Sequence, residues 1–264
     1  MRIEGSIAVV TGANRGLGRA FVEQLLARGA KRVYAGARDP SKLRDVASSS
    51  GGRVVALRID LGDPASIAAA ARTATDATLL INNAGALEFG SQVSADLAGI
   101  RRDFETNYFG TLLVTRAFVP VLEANKNGAI VNVLAIISLV SIPGLGGYSA
   151  SKAAAHSLTL GIRGELAKRG ISVHGVYPGP IDTDMTRRID RPKAGATEVV
   201  SATLAGVEAG ENYIFPEPMS RQVYEGWCKS HAEVEAQFGA SMIVPDTVLG
   251  PEACPATESH RRAG

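Results

Sequence analysis

The sequence predicts an α/β fold in which a single doubly wound parallel sheet carries helices on both faces. Short apolar runs rich in β-branched residues alternate with amphipathic helical segments from the first residues onward. Runs without a polar side are typical of strands covered on both faces, and right-handed crossovers between them give a Rossmann-type sheet. At 264 residues the chain is long enough for one such domain and too short for two.

The elements are expected in alternating order along the chain. The first strand, Ile7–Val10, leads through a glycine-rich turn into a helix with Leu17, Phe21 and Leu25 on one face. Further strands are expected at 32–36, 53–59, 78–81, 128–134, 171–177 and 211–215. Helices are expected at about 95–125, with a break near Gly110 or Pro120, at 148–169 and at 220–238. Since no repeat or linker interrupts this order, residues 1–264 are expected to form one domain.

The composition argues against several classes of function. With 20% charged residues and a net charge of +2, the chain lacks the clustered basic residues of a nucleic-acid-binding protein. No apolar run reaches the roughly 18 residues of a membrane span, and the strand starting at Ile7 leaves no room for a leader. The two cysteines and four histidines lack the spacing of metal ligands, so no metal site is expected. A reducing, cytoplasmic location is expected.

The turn after the first strand is the candidate phosphate site. Glycines let the backbone approach a pyrophosphate closely, and the N-terminus of the next helix offers free N–H groups and a positive dipole end. A strand before the turn and a helix after it are the context that this motif requires. Nucleotide binding is therefore expected from Gly12, Asn14, Arg15, Gly16, Leu17 and Gly18.

The end of the second strand indicates which nucleotide is bound. NAD-selective sheets place an acidic side chain there, where it accepts a hydrogen bond from the ribose 2′-hydroxyl. Here the strand runs into Arg38, and the first carboxylate is Asp39. The guanidinium groups of Arg38 and Arg15 suit a 2′-phosphate. NADP(H) is therefore expected in preference to NAD(H).

Further motifs follow the glycine turn in a fixed order. They are Asp60-Leu61, Asn82-Asn83-Ala84-Gly85, Asn107, Tyr148-x-x-x-Lys152 and Pro178-Gly179-Pro180-Ile181-Asp182-Thr183. A Tyr-x-x-x-Lys pair alone is weak evidence, because it arises often by chance. In their order and intervals, however, the motifs together resemble the short-chain dehydrogenase/reductase family over about residues 5–185.

The resemblance implies a role for each motif. The cofactor would be contacted by Asp60 and Leu61 at the adenine ring, by Asn83, Ala84 and Gly85 along the sheet edge, and by Pro178, Gly179, Ile181 and Thr183 near the nicotinamide. Tyr148 would exchange a proton with the substrate oxygen, Lys152 would hold the ribose, and Asn107 would support a water and Lys152. Residues four apart on a helix share a face. The Lys152 ammonium and the positive nicotinamide are expected to lower the tyrosine pKa from its usual value of about 10.

The resemblance also implies features outside the catalytic motifs. Residues 186–216 would form a substrate lid, and residues 217–264 a variable C-terminal helix and tail. A homodimer or homotetramer would form through the helix starting near residue 95 and the helix that carries Tyr148.

One expected residue is missing. The family has a serine 13 positions before the tyrosine, where this chain has Ala135, and alanine cannot donate a hydrogen bond to a substrate oxygen. Losing one such donor typically costs about 10²–10³ in rate. Three explanations stay open. Ala135 is a deliberate replacement of the serine, Ser138 supplies the hydroxyl instead, or the reaction needs no such donor; we favour the first.

Two functional hypotheses follow. The leading one is an NADP(H)-dependent oxidoreductase that transfers a hydride between nicotinamide and a small to medium, mostly apolar carbonyl or alcohol, in a form inactivated at Ala135. The alternative is a non-redox or cofactor-sensing protein on the same scaffold. The complete set of Tyr148, Lys152 and Asn107 favours an enzyme, since a sensor does not need the pair, whereas Ala135 favours the alternative.

Overall fold

The computed structural model describes residues 1–241, which form an α/β domain around a seven-stranded parallel sheet. The sheet has the order β3-β2-β1-β4-β5-β6-β7, and every neighbouring pair is parallel. The strands are β1 (Ile7–Val10), β2 (Arg32–Ala37), β3 (Val54–Arg58), β4 (Leu79–Asn82), β5 (Ala129–Val133), β6 (Ser172–Val176) and β7 (Tyr213–Ile214). The predicted doubly wound sheet is confirmed.

Nine α-helices connect or follow the described strands. They are α1 (Gly16–Ala27), α2 (Arg44–Ser49), α3 (Pro64–Thr73), α4 (Leu97–Phe104), α5 (Thr111–Asn125), α6 (Gly146–Ala167), α7 (Ala196–Ala209), α8 (Pro218–Lys229) and α9 (His231–Gly239). Among residues 1–241, none of these helices is both long and apolar enough to cross a membrane.

The sheet is buried on both faces because alternate residues of each strand point to opposite sides. Ala8 and Val10 of β1 pack in one core with α1 and α7. Ile7 and Val9 of the same strand pack in a second core with α3, α5 and α6. The strands can therefore be apolar throughout.

The strand order places the candidate site at the carboxyl edge of the sheet. From β1 the chain first builds outward through β2 and β3, and then returns to build the other half from β4 to β7. The crevice between β1 and β4 is the point where ligands bind in doubly wound sheets. The segments that follow β1, β4, β5 and β6 all reach this edge.

The long helical segment predicted at 95–125 is interrupted once. The residues Glu105–Gly110 form a wide π-helical turn between α4 and α5. Wide turns of this kind frequently occur at functional sites, and this one contains Asn107. Pro120 lies inside α5 without ending it, so the predicted break lies at the Gly110 end.

The predicted lid at 186–216 is wrong for most of its length. Residues Ala196–Ala209 form α7, whose Val199, Val200, Leu204 and Val207 side chains are fully buried against the sheet and α1. The mixture of glycine and charged residues concealed this apolar stripe. The real excursion is shorter, because Asp182 N donates to Ala194 O and closes a loop at 182–194.

The C-terminal segment also differs from the prediction. The helix expected at 220–238 is divided at Ser230, which caps α9 by accepting a hydrogen bond from Glu233 N. The seventh strand, expected at 211–215, is only two residues long. The predicted tail beyond residue 241 lies outside the described residues.

Candidate active site

The glycine turn between β1 and α1 is shaped to receive a phosphate group. Gly12 and Gly16 have φ angles of 65° and 52°, a region that suits glycine. A Cβ on Gly18 would lie 2.1 Å from Gly12 O, so no side chain fits there. The first turn of α1 has no acidic residue or side-chain cap, and its N–H groups can bind an anion. Asn14 is half-buried in the turn, and the Leu17 side chain packs into the core.

Hydrogen bonds fix the glycine turn to the segment after β4. Thr11 Oγ1 accepts hydrogen bonds from the backbone N–H groups of Asn83 and Ala84, both at 3.0 Å. Asn83 Nδ2 donates to Thr11 O at 2.8 Å and to Gly12 O at 3.3 Å. Gly85 follows directly and reaches the catalytic candidates, since a Cβ there would lie 3.6 Å from Lys152 Nζ. These bonds hold the two sides of the crevice in register.

The predicted adenosine contacts lie in the glycine turn and after β2 and β3, and they are Arg15, Arg38 and the Asp60-Leu61 pair. Arg38 is exposed directly after β2 and makes no hydrogen bond or ion pair with residues 1–241. Arg15 is exposed too, but its Nη1 pairs with Asp184 Oδ2 at 3.1 Å across the turn. Asp60 and Leu61 follow β3 and are half-buried. Arg38 is thus the arginine more readily available to a 2′-phosphate.

Tyr148 and Lys152 lie one turn apart in α6 and face the same way. The residues are 8% and 5% exposed. Lys152 Nζ donates to Val133 O at the end of β5 at 2.8 Å and lies 5.7 Å from the centre of the Tyr148 ring. The preceding Gly147 allows close packing, because a Cβ there would lie 3.0 Å from Ile100 Cγ1 in α4. The helix carrying the pair is therefore held tightly against α4.

Asn107 joins α6 to the segment after β4. Its Nδ2 donates to Ala86 O and to Ser151 Oγ, each at 2.9 Å, and its Oδ1 accepts from Ala86 N at 2.9 Å. Ser151 is the neighbour of Lys152 and its Oγ donates to Tyr148 O, so Asn107 ties the segment after β4 to the turn of α6 that carries the pair. The structure brings together three of the predicted catalytic residues, Tyr148, Lys152 and Asn107.

Burial dominates the electrostatics of the pair. Burial, followed by the nearby charge of Asp103, raises the pKa of Tyr148 above its ordinary value. Burial lowers the pKa of Lys152 to about 8, against the attraction of Asp103. In the protein alone, desolvation of the phenolate dominates the Tyr148 pKa; the lowering expected with a bound nicotinamide cofactor stays a prediction.

Ala135 and Ser138 lie together at the end of β5. The 3₁₀ turn Ile136–Ser138 follows Ala135 directly, and both Ala135 and Ser138 are 7% exposed. Ser138 Oγ accepts a hydrogen bond from Ala135 N at 3.2 Å. The hydroxyl acts as an acceptor in this bond, so its proton remains available for another partner. A hydroxyl therefore lies beside Ala135, the position at which the resemblance implies a serine.

The loop after β6, where nicotinamide contacts are predicted, lies against the glycine turn. Pro178, Gly179 and Ile181 line its backbone, and Thr183 lies across the glycine turn, where a Cβ on Gly16 would be 3.2 Å from its Cγ2. Gly179 N donates to Glu217 Oε1 at 2.9 Å. This bond ties the loop to the start of α8.

An apolar cluster and a cavity lie beside the segments that follow β4 and β5. The apolar cluster consists of Leu87, Phe89, Ile137, Ile142, Leu145, Ile189 and Phe238. The cavity has a volume of about 600 Å³ and runs between the 139–146 loop, the 91–93 loop and α8–α9. Trp227 and Val93 line it together with the more polar Gln92 and Glu235. Most of the surroundings thus suit an apolar molecule.

Sequence reasoning missed two buried acids near the candidate site. Asp103 is fully buried, and Glu217 is 4% exposed. Asp103 lies four residues before Asn107, so helical spacing alone could have placed them on one face. Glu217 precedes Pro218 at the start of α8, but glutamate is not a typical N-cap residue and gives no such signal. Within residues 1–241, no group of three metal-ligating side chains is close enough to hold a metal ion.

The geometry has clear counterparts among known proteins. The sequence profile of the family described as short chain dehydrogenase matches residues 6–194. The chain belongs to the short-chain dehydrogenase/reductase family. This assignment confirms the resemblance and makes the chain a member of a family of oxidoreductases.

Individual relatives match over most of their length. A short-chain dehydrogenase from Burkholderia cenocepacia J2315, solved in complex with NADP, is 44% identical, with a TM-score of 0.86 over 90% of this chain and 99% of that chain. The 3-oxoacyl-(acyl-carrier-protein) reductase FabG of Vibrio cholerae is 32% identical over 80% of this chain and 85% of its own. A Burkholderia phymatum family member in complex with NAD is 24% identical over 93% of this chain and 99% of that chain, with a TM-score of 0.81, and shows the fold alone.

Proposed function

We propose that this protein is an NADP(H)-dependent oxidoreductase that interconverts a small to medium, mostly apolar carbonyl compound and its alcohol. The observation that carries the proposal is the buried Tyr148–Lys152 pair at the carboxyl edge of the sheet, beside the glycine turn. A bound nicotinamide cofactor would supply or accept the hydride. The chain itself would bind the two reactants, exclude water and move the proton.

The proposed role of Tyr148 is proton exchange with the substrate oxygen. In reduction, the tyrosine hydroxyl gives its proton to the oxygen as the carbonyl carbon receives the hydride. Burial raises its pKa in the protein alone, so the tyrosine is protonated at neutral pH. The Lys152 ammonium and a bound positive nicotinamide would lower this pKa toward the working pH, where proton transfer is most efficient. Lys152 would hold the ribose with the N–H groups that Val133 O leaves available.

The preference for NADP(H) rests on Arg38. The second strand ends without a carboxylate that could bind a 2′-hydroxyl, and the exposed Arg38 guanidinium offers a cation to a 2′-phosphate. The 44%-identical Burkholderia cenocepacia relative was solved with NADP, which supports the same choice. Arg38→Asp should shift the ratio of kcat/KM values toward NADH, with Arg53→Asp as a matched surface control. An unchanged ratio would remove Arg38 from the proposal.

We propose that Ser138 donates the hydrogen bond to the substrate oxygen, in place of the inactivating replacement at Ala135 that the sequence alone favoured. Its hydroxyl lies beside Ala135, at 3.2 Å from the Ala135 N atom, and the hydroxyl proton is available. Loss of one oxyanion donor costs about 10²–10³ in rate. Ser138→Ala should therefore lower kcat by about that factor, and Ala135→Ser should add little. If instead Ala135→Ser raises kcat at least tenfold and Ser138→Ala does nothing, Ala135 is an inactivating replacement.

The redox proposal is tested by mixing the protein, NADPH and a panel of apolar ketones and aldehydes, and following nicotinamide absorbance. Turnover that disappears in Tyr148→Phe is the expected result. Tight NADPH binding without turnover, even in Ala135→Ser, would favour the alternative of a cofactor-sensing protein. Ala135 is the observation that keeps this alternative open.

A homodimer is proposed as the smallest assembly. A groove of about 410 Å³ lies between α4–α5 and α6 and is lined by Tyr108, Phe109 and Leu158. Phe109 is 45% exposed and Leu160 in α6 is 39% exposed. Light scattering should show a dimer or tetramer, and Phe109→Glu should yield monomers. The cytoplasmic location expected from the sequence stays a prediction.

A further inference from the structure

Asp103 is a buried acid with an unused oxygen. Its Oδ1 accepts a hydrogen bond from Glu88 N at 3.1 Å, but its Oδ2 has no partner among residues 1–241. Glu217, the other buried carboxylate of the described chain, uses both oxygens: Oε1 accepts from Gly179 N and Ser220 N, and Oε2 accepts from Ser220 Oγ. A buried carboxylate without full hydrogen bonding is costly unless an opposite charge compensates it.

Lys152 is a buried positive charge that also lacks a full set of hydrogen-bond partners among the described residues. It is a buried ammonium group whose described hydrogen bond uses one of three N–H donors, to the neutral Val133 O. A carbonyl oxygen satisfies a donor but does not neutralise a positive charge. Two opposite charges, each incompletely satisfied, are therefore buried at the same end of the sheet.

Both groups surround one short stretch of backbone. Asp103 and Asn107, one helical turn apart, bind the segment at Glu88 N and at Ala86. Lys152 Nζ also lies near this segment, at 3.6 Å from where a Cβ on Gly85 would be. The carboxylate and the ammonium thus lie against residues only three apart in the chain, near enough for the Asp103 charge to act on Lys152.

The other charges facing Asp103 do not neutralise it. Arg102 from its own helix acts on it, but the Arg102 guanidinium is exposed and binds Glu88 Oε1 at 3.1 Å. The Glu88 carboxylate repels the Asp103 carboxylate, and the charge of Asp103 in turn raises the pKa of Tyr148 in α6. Lys152 is the buried cation among these groups.

We propose that the Asp103 carboxylate is the internal counter-charge of the Lys152 ammonium and acts as a positioning residue for the Tyr148–Lys152 pair. Its catalytic consequence rests on the oxidoreductase function proposed above; the charge pairing itself does not. Ionised Asp103 holds the proton on Lys152 inside a site that would otherwise favour the neutral amine. Burial raises the pKa of Asp103 to about 7 and lowers that of Lys152 to about 8. The support that ionised Asp103 gives to the Lys152 ammonium therefore varies with pH within the physiological range.

The test is the titration of Lys152, read from the ¹³C NMR signal of its side chain in lysine-labelled protein and assigned by its loss in Lys152→Arg. Asp103→Asn keeps the shape and an acceptor for Glu88 N but removes the charge. It should lower the Lys152 midpoint by about one pH unit, the lower end of the shifts that neighbouring charges cause. Glu105→Gln, an exposed acid in the following turn, should leave it unchanged. Equal midpoints in the two variants would overturn the proposal.

A second measurement needs no change at Asp103. The Asp103 carboxyl signal of the wild-type protein should titrate near neutrality, and Lys152→Met should raise its midpoint by a similar amount, because the coupling between two sites is reciprocal. An unmoved midpoint would also overturn the proposal. Neither titration requires turnover. A shifted Lys152 midpoint in a protein without carbonyl turnover would keep the charge pairing and reject the redox function, and turnover without the shift would do the reverse.

Discussion

Asp103→Asn should change the pH dependence of the free energy of unfolding. Burial raises the pKa of Asp103 from 3.8 to about 7. A raised folded-state pKa means that the neutral carboxyl stabilises the fold below pH ~4, and that this stability is lost as the pH rises to 7. The shift of about 3 pH units, at about 1.4 kcal/mol per unit, sets an upper limit of about 4 kcal/mol.

The loss between two accessible pH values is smaller. At pH 5 the wild-type protein has already lost the part of this stabilisation that corresponds to about one pH unit. About 3 kcal/mol of it therefore remains to be lost by pH 8. The amide that replaces the carboxyl in the variant cannot ionise, so this part of the decline is absent. The stability of Asp103→Asn relative to wild type should therefore rise by up to about 3 kcal/mol between pH 5 and pH 8.

Urea unfolding at both pH values measures the difference directly. Glu105→Gln is the control, because it removes an exposed carboxylate at the start of the neighbouring turn. Lys152 also titrates in this range. Its pKa is lowered on folding, so its contribution to stability rises with pH, and the lower midpoint expected in Asp103→Asn adds to the difference in the same direction. Parallel pH dependence of Asp103→Asn and wild type would refute the reasoning, since it would mean that Asp103 is ionised in the folded protein at pH 5.

Three further predictions concern other parts of the fold. Leu204→Ala should lower the free energy of unfolding by about 2–5 kcal/mol, because Leu204 is fully buried in α7. A change below about 1 kcal/mol in urea unfolding would instead favour the interpretation of α7 as part of a substrate lid. Gly18→Ala should abolish NADPH binding in a fluorescence titration, since the added Cβ would lie 2.1 Å from Gly12 O; retained affinity would contradict this tight approach. Glu217→Ala should lower Tm and weaken NADPH binding, because it leaves Gly179 N without its acceptor. A buried donor left without an acceptor costs about 1–3 kcal/mol.

Local patterns were sufficient to predict the sheet and the helix that carries Tyr148 and Lys152. Apolar strands and the glycine turn are signals carried by consecutive residues, and Tyr148 and Lys152 are related by helical spacing. The observed strands agree with the predicted ranges to within one or two residues over the first six.

The errors arose where tertiary packing decides the outcome. Four apolar residues of α7 are buried by α1, some 170 residues earlier in the chain, and no local pattern identifies that partner. Asp103 reads as a solvated acid in a helix with exposed arginines, and only the packing of α4 on α6 buries it. The pKa of Tyr148 depends on the same burial, which spacing does not reveal.

The short seventh strand limits how the sheet can grow. A free strand edge is a template on which another chain can pair, and proteins blunt such edges with short strands and charged side chains. Here β7 offers two residues, and the Arg163 guanidinium lies 4.8 Å from the Tyr213 ring centre while its Nη2 donates to Asn212 O. Strand-by-strand association at this margin is thereby discouraged, and further copies of the chain are directed toward its helical faces.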